Sequence, residues 1–278
     1  MKRRHVIVIA LLVLLFAWTA TAGLGPSGSW ALVIGNTQYA SPSIRDLGSP
    51  EADAALMAEN LTSCGRFWQD QVSQLSNASF MEIIAAFHDL ELQLALQRRE
   101  APELKQLVVV YYSGHGCVTG TGGAIIPSDA ELDLLSATVI DELLLNLLLD
   151  RLRPADVVVI LDCGQVGAEG LAAPGRLVLA ASGMDECAYE DQALGHGVFT
   201  YHLVAALALS DNDGDGSVSF QEAFAYSQTM VSSYVKNNFG QEATPEMTDG
   251  IGIPAIWVPY VNRCPATTES DDGGAMTK

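Results

Sequence analysis

The apolar positions of this chain fall into two kinds of segment. Some are short unbroken runs: Trp30-Ala31-Leu32-Val33-Ile34, Leu107-Val108-Val109-Val110-Tyr111-Tyr112, Val157-Val158-Val159-Ile160-Leu161 and Leu177-Val178-Leu179-Ala180-Ala181. Runs of this length without polar alternation, bounded by turn residues, predict strands buried on both faces. Val72 to Leu75 predicts a short edge strand, and Pro254-Ala255-Ile256-Trp257-Val258 a last strand. Between the runs lie longer stretches with helical spacing. Pro50 to Leu61 carries a small-residue face of Ala52, Ala55, Leu56 and Ala58, and Gly65 after Cys64 is a stop signal. Ser79 to Arg99 puts Ile83, Ile84, Phe87, Leu90 and Leu94 on one side, and Ser79 with Glu82 forms a capping box. Val139 to Leu152 predicts another helix, stopped at Pro154. Buried strands alternating with helices predict an α/β fold, with a mostly parallel sheet of about six strands and helices on both faces.

The two ends of the chain stand outside this pattern. Lys2-Arg3-Arg4, the apolar run Val6 to Trp18 and Ala20-Thr21-Ala22 have the layout of a signal peptide over residues 1–22. The run is shorter than the roughly 20 apolar residues a spanning helix needs, so no stable membrane span is expected after cleavage. The expected location is secreted, periplasmic or otherwise extracytoplasmic. Residues 265–278 are polar and acidic and predict a disordered tail. The formal net charge is −19, and removing Lys2, Arg3 and Arg4 makes it −22. Such a surface repels nucleic acid, which is excluded as a partner. Cys64, Cys117, Cys163, Cys187 and Cys264 fit no zinc spacing, and their odd number leaves at least one thiol unpaired.

The most specific motif is Asp211-Asn212-Asp213-Gly214-Asp215-Gly216-Ser217-Val218-Ser219-Phe220-Gln221-Glu222. It matches the twelve-residue EF-hand calcium loop. Asp211, Asp213 and Asp215 supply carboxylate oxygens at positions 1, 3 and 5, and Gly216 allows the turn. Ser217 offers its carbonyl, Ser219 acts through water, and Glu222 closes the site in bidentate fashion. Helices are expected on both sides, Val198 to Leu209 and Phe220 to Lys236. The implied cofactor is Ca²⁺.

Two of the buried strands end in chemistry. One runs into Ser113-Gly114-His115-Gly116, the other into Asp162-Cys163-Gly164. Sites in open parallel sheets form beyond the carboxyl ends of the strands, so a histidine base and a thiol are expected near each other. These residues resemble the caspase-like cysteine peptidases, the group of caspases, metacaspases and legumains, over residues 29–262. Further resemblance lies in Ala31 to Asn36 with Tyr39, in Asp53-Ala54 with Met57 and Leu61, and in Asp185-Glu186 with Tyr189-Glu190-Asp191. His196 to Tyr201 adds to it, and with the calcium loop the chain resembles bacterial secreted members.

The resemblance implies a three-layer caspase-like sandwich acting on a peptide or protein substrate or ligand. It implies His115 as the base and the Gly116 N–H as a donor to the oxyanion. Asp162, with Asp185 and Glu190, would form an acidic pocket for a basic side chain. The family's nucleophile stands two residues after the strand-end Asp. That position is Gly164 here, and Cys163 occupies the one between. The implied protein is a catalytically impaired homologue. The alternatives are an active cysteine endopeptidase in which a one-residue shift presents Cys163 to His115, and a calcium-binding scaffold or adhesion domain.

Overall fold

The computed structural model describes residues 28–63, 67–252 and 256–257. The expected signal peptide, Cys64-Gly65, the tail 265–278 and most of the last expected strand lie outside the described residues. Among the described residues, no helix is long and apolar enough to cross a membrane.

The expected runs form the centre of one sheet: β1 (Ser29–Gly35), β3 (Leu107–Ser113), β7 (Asp156–Asp162) and β8 (Arg176–Ala180). The edges are β2 (Val72–Ser76) and β12 (Glu246–Asp249), in the order β12-β8-β7-β3-β1-β2. Every neighbouring pair is parallel except β12 with β8. Side chains alternate across it. Val158 and Ile160 pack with α1 (Pro50–Ser63), α4 (Val198–Leu209) and α5 (Phe220–Phe239). Val157, Val159 and Leu161 pack with α2 (Phe80–Glu100) and α3 (Glu142–Asp150). The result is the expected α/β sandwich of three layers. Each fully buried Leu, Ile or Phe, such as Leu94, Ile83 or Phe199, stabilises it by roughly 1.5–3 kcal/mol.

The capping box of α2 is in place: Ser79 N–H donates to Glu82 at 2.8 Å, and Glu82 N–H reaches Ser79 Oγ at 3.4 Å. Two elements differ from expectation. The helix read as Val139 to Leu152 starts at Glu142, because Asp141 accepts the Leu144 N–H at 2.9 Å and caps it. Ile140 and Asp141 pair instead as β6, in a small antiparallel sheet with β4 (Gly116–Thr119) and β5 (Gly122–Ile125). The sixth strand of the main sheet is not the C-terminal apolar run. That place is taken by β12, a polar edge strand with half its residues exposed, which carries no apolar signal. Ile256 and Trp257 form β13, which pairs antiparallel with β11 (Val218–Ser219) away from the main sheet.

Candidate active site at the strand ends

β1, β3 and β7 deliver their C-terminal residues to one edge of the sandwich, where a cleft of about 410 Å³ opens. Its walls include Arg45, His115, Gly116, Gly164, Cys187 and Glu190, and its floor Asp53, Ser113, Asp162 and Gly197.

His115 is held at three points. Its N–H donates to Tyr39 Oη at 2.8 Å, and its carbonyl accepts from Tyr112 Oη at 2.9 Å and from Ile126 N–H at 3.0 Å. Its Nε2 lies 2.7 Å from the Arg45 carbonyl oxygen. A carbonyl only accepts, so in the neutral ring Nε2 carries the proton and Nδ1 is left as the basic nitrogen. This tautomer suits a base.

Cys163 continues the alternation of β7 and packs with Val157, Val159 and Leu161 in the α2/α3 layer, 1% exposed. Burial, then the charges of Asp162 and Cys117, push its thiol well above the usual range. A buried neutral thiol is a small apolar filler, not a nucleophile. Gly164, not Cys163, lines the cleft. A Cβ at 164 would point at the chain opposite, 3.0 Å from both Cys187 Cα and Ala188 N. That chain is fixed by the Gln165 N–H, which donates to the Glu186 carbonyl at 2.9 Å. The 186–188 segment thus lies close against the space a side chain at 164 would need. Gly116 is equally constrained, because a Cβ there would clash with the Gly164 carbonyl.

The floor is a buried pair of carboxylates on either side of Gly197. A Cβ on Gly197 would clash with Asp162 and lie 3.0 Å from Asp53 Oδ2. Asp162 accepts from Thr200 N–H at 3.1 Å and from Thr200 Oγ1 at 2.5 Å, and Tyr111 Oη sits 2.6 Å behind that hydroxyl. Asp53 accepts from Gly197 N–H at 2.9 Å and Ser113 Oγ at 3.1 Å, with His196 Nδ1 at 3.0 Å. Burial, then the nearby charge of Asp53, push the Asp162 carboxyl up to about 7, against the opposing donors of Thr200. Asp162 is thus favoured in its neutral form, and a cationic group beside it can take the place of its proton.

Of the expected pocket residues, Asp162 and Glu190 line the cleft, whereas Asp185 is exposed and does not. The Glu190 carboxylate caps the start of α1, accepting from Gly48 N–H at 2.9 Å, Ser49 N–H at 3.1 Å and Ser49 Oγ at 3.0 Å. Sequence reasoning placed Asp53 in the first helix but gave it no function. Its signal was a charged residue beside Ala54 and Met57, both fully buried. The Arg45 carbonyl had no signal, since a backbone oxygen is the same in every residue.

The acidic loop joins α4 to α5, the two helices expected on its flanks. One oxygen from each of Asp211, Asp213 and Asp215 lies within 4.8 Å of the others. None of the ion pairs among the described residues involves them. Gly216 has φ of 85°, the left-handed turn that position 6 requires. Glu222 reaches back across the loop, accepting from Asn212 N–H at 3.0 Å and from Ser219 N–H at 2.8 Å. Donation from Ser219 N–H holds its carboxyl below the ordinary range. Ser217 and Ser219 lie on the same concavity.

A parallel α/β sandwich with a histidine strand end beside an aspartate-cysteine strand end belongs to the caspase-like class. Residues 29–251 match the family described as Caspase domain, and the chain belongs to that family. The crystal structure of caspase-1 from Spodoptera frugiperda is similar, with a TM-score of 0.54 at 12% identity. The alignment covers 84% of this chain and 89% of that one, and the likeness is one of fold. No curated protein sequence matches the chain.

Proposed function

We propose that this Caspase domain protein is an exported, catalytically impaired homologue that binds peptides or proteins through a basic side chain. Support for impairment comes above all from the alternation of β7, which turns Cys163 into the α2/α3 layer and leaves Gly164 at the cleft. Without a nucleophile, the free Nδ1 of His115 and the Gly116 N–H remain as groups that hydrogen-bond a ligand backbone. Asp162 and Asp53 are the acids at the floor that would receive a guanidinium or ammonium group, with Glu190 on the wall. Asp185 is not part of this reading.

The second part of the proposal is a calcium ion on the loop 211–222. The donor chemistry fits: three carboxylates, the Ser217 carbonyl, Ser219 and Glu222 are hard oxygen ligands at the required spacing. Bound there, calcium supplies charge neutralisation that ties the two helix ends together. Export rests on the n-region, apolar run and small-residue site of residues 1–22.

The test uses peptides with Arg, Lys or Asp at the position before the bond, labelled at one end, with purified protein and calcium. The expected result is binding of the Arg and Lys peptides without cleavage, weakened at least tenfold by Asp162→Asn. Cleavage by wild type that disappears in Cys163→Ala would overturn the impaired reading. Equal binding of the Asp peptide would overturn the acidic floor.

A further inference from the structure

The motif Gly35-Asn36-x-x-Tyr39 has no role in the reading above, yet it converges on His115. Asn36 is fully buried and ties three segments together. Its side chain donates to the Ala78 and Ile126 carbonyls at 3.2 and 3.3 Å and accepts from Ala78 N–H at 2.8 Å. Its own carbonyl accepts from Tyr39 Oη at 3.1 Å. The hydroxyl, its proton so directed, accepts the His115 N–H at 2.8 Å. The Tyr39 ring stands against the imidazole, with centroids 4.9 Å apart. Burial pushes the Tyr39 hydroxyl up to about 12, so it keeps the proton this geometry needs. Tyr112 holds the other side of the same peptide, its hydroxyl shared between the His115 and Ile126 carbonyls at 2.9 Å each. Between them Gly114 leaves no room for a side chain, since a Cβ would come within 2.5 Å of Tyr112 Oη and 3.0 Å of Tyr39 Oη.

Tyr39 also grips the other partner of the imidazole. Its N–H donates to Asp46 Oδ1 at 3.0 Å, next to Arg45, whose carbonyl takes the Nε2 proton. The following residue, Leu47, is tied back to the Thr37 carbonyl at 2.9 Å. One residue therefore meets both, through its hydroxyl the histidine and through its backbone N–H the segment that selects the tautomer.

We infer that Tyr39 and Tyr112 are positioning residues, a two-sided clamp that keeps His115 as the Nε2–H tautomer with Nδ1 open to the cleft. This rests on the reading of His115 as the site's basic group. The clamp sets the direction of one hydrogen-bond acceptor in the cleft, so it governs which ligand donors are accepted. Loss of the Tyr39 hydroxyl frees the His115 peptide, lengthens the Nε2 contact with Arg45 and lets the two tautomers mix.

The experiment is ¹⁵N NMR of the imidazole side chains in the full chain, with His115→Gln used to assign the signal. Wild type should show the neutral His115 ring wholly as Nε2–H. In Tyr39→Phe, which keeps the ring, the Nδ1–H form should become detectable, while the His196 signal stays in place. Tyr112→Phe should act in the same direction, and it carries the test if Tyr39→Phe does not fold. An unchanged tautomer in a folded clamp variant would overturn the clamp and leave the basic role of His115 standing. Mixed tautomers in wild type would overturn both.

Discussion

Cys163 and Gly164 show how much one position of phase matters. Adjacent strand residues face opposite layers, so a sulfur at 163 belongs to the core and a side chain at 164 would belong to the cleft. Cys163 sits against Leu161 and Val166 with 1% exposure, whereas Cys187 is exposed on the cleft wall. Alkylation of the native protein at pH 8 should therefore modify Cys187 and leave Cys163 intact until the chain unfolds, as read by peptide mass spectrometry. Alkylation of Cys163 at a rate comparable to Cys187 would show that the strand end opens and would revive the active reading. Gly164→Cys alone should not restore turnover, because its Cβ meets backbone atoms of 187 and 188 at 3.0 Å.

Helix ends and loops form the next scale. α4 links the two regions of chemistry. Its first turn holds Asp162 through Thr200, and its last residue, Leu209, is followed within two positions by Asp211 of the acidic loop. Glu222 has a double part there, as proposed calcium ligand and as the N3 residue of the α5 capping box. Calcium at 100 times its Kd should stabilise the fold by about 2.7 kcal/mol, a shift of several degrees in Tm at this size. Glu222→Gln should remove most of that increment. It should also lower the calcium-free Tm slightly, because the box weakens. The increment between calcium and chelator is the measurement, and a melting curve indifferent to calcium would sink the site.

At the scale of the molecule, the acid pair joins elements far apart in the chain. Asp53 comes from α1 and Asp162 from the end of β7, and both lean on the backbone between β10 (His196–Gly197) and α4. The sign of its pH effect follows from the raised Asp162 carboxyl. An acid favoured as neutral in the fold contributes stability that is complete below the unfolded value near 4 and is lost as pH rises through about 7. Asp162→Asn stays neutral throughout. Thermal melts should show it gaining on wild type between pH 4 and pH 8, with most of the change complete just above 7. A difference in Tm that is constant across that range would refute the raised Asp162 carboxyl.

Much of this was legible in the residues. The four central strands, the capping box of α2, both helices around the acidic loop and the convergence of His115 and Asp162 at one edge follow from local apolar runs, cap chemistry and the parallel-sheet rule. Those signals are short in range, so the order of residues alone carries them. What only the tertiary structure decided lies between segments without local marks. β12 is polar because an edge strand needs no buried side chains on its outer side, and no pattern announces it. Asp53 meets Asp162 across more than a hundred residues, and Glu190 was drawn to the start of α1 by its free N–H groups. The tautomer of His115 depends on the carbonyl of Arg45, an atom every residue possesses. Residue types and spacing determined which groups were available; close packing of distant segments decided which partner each one met.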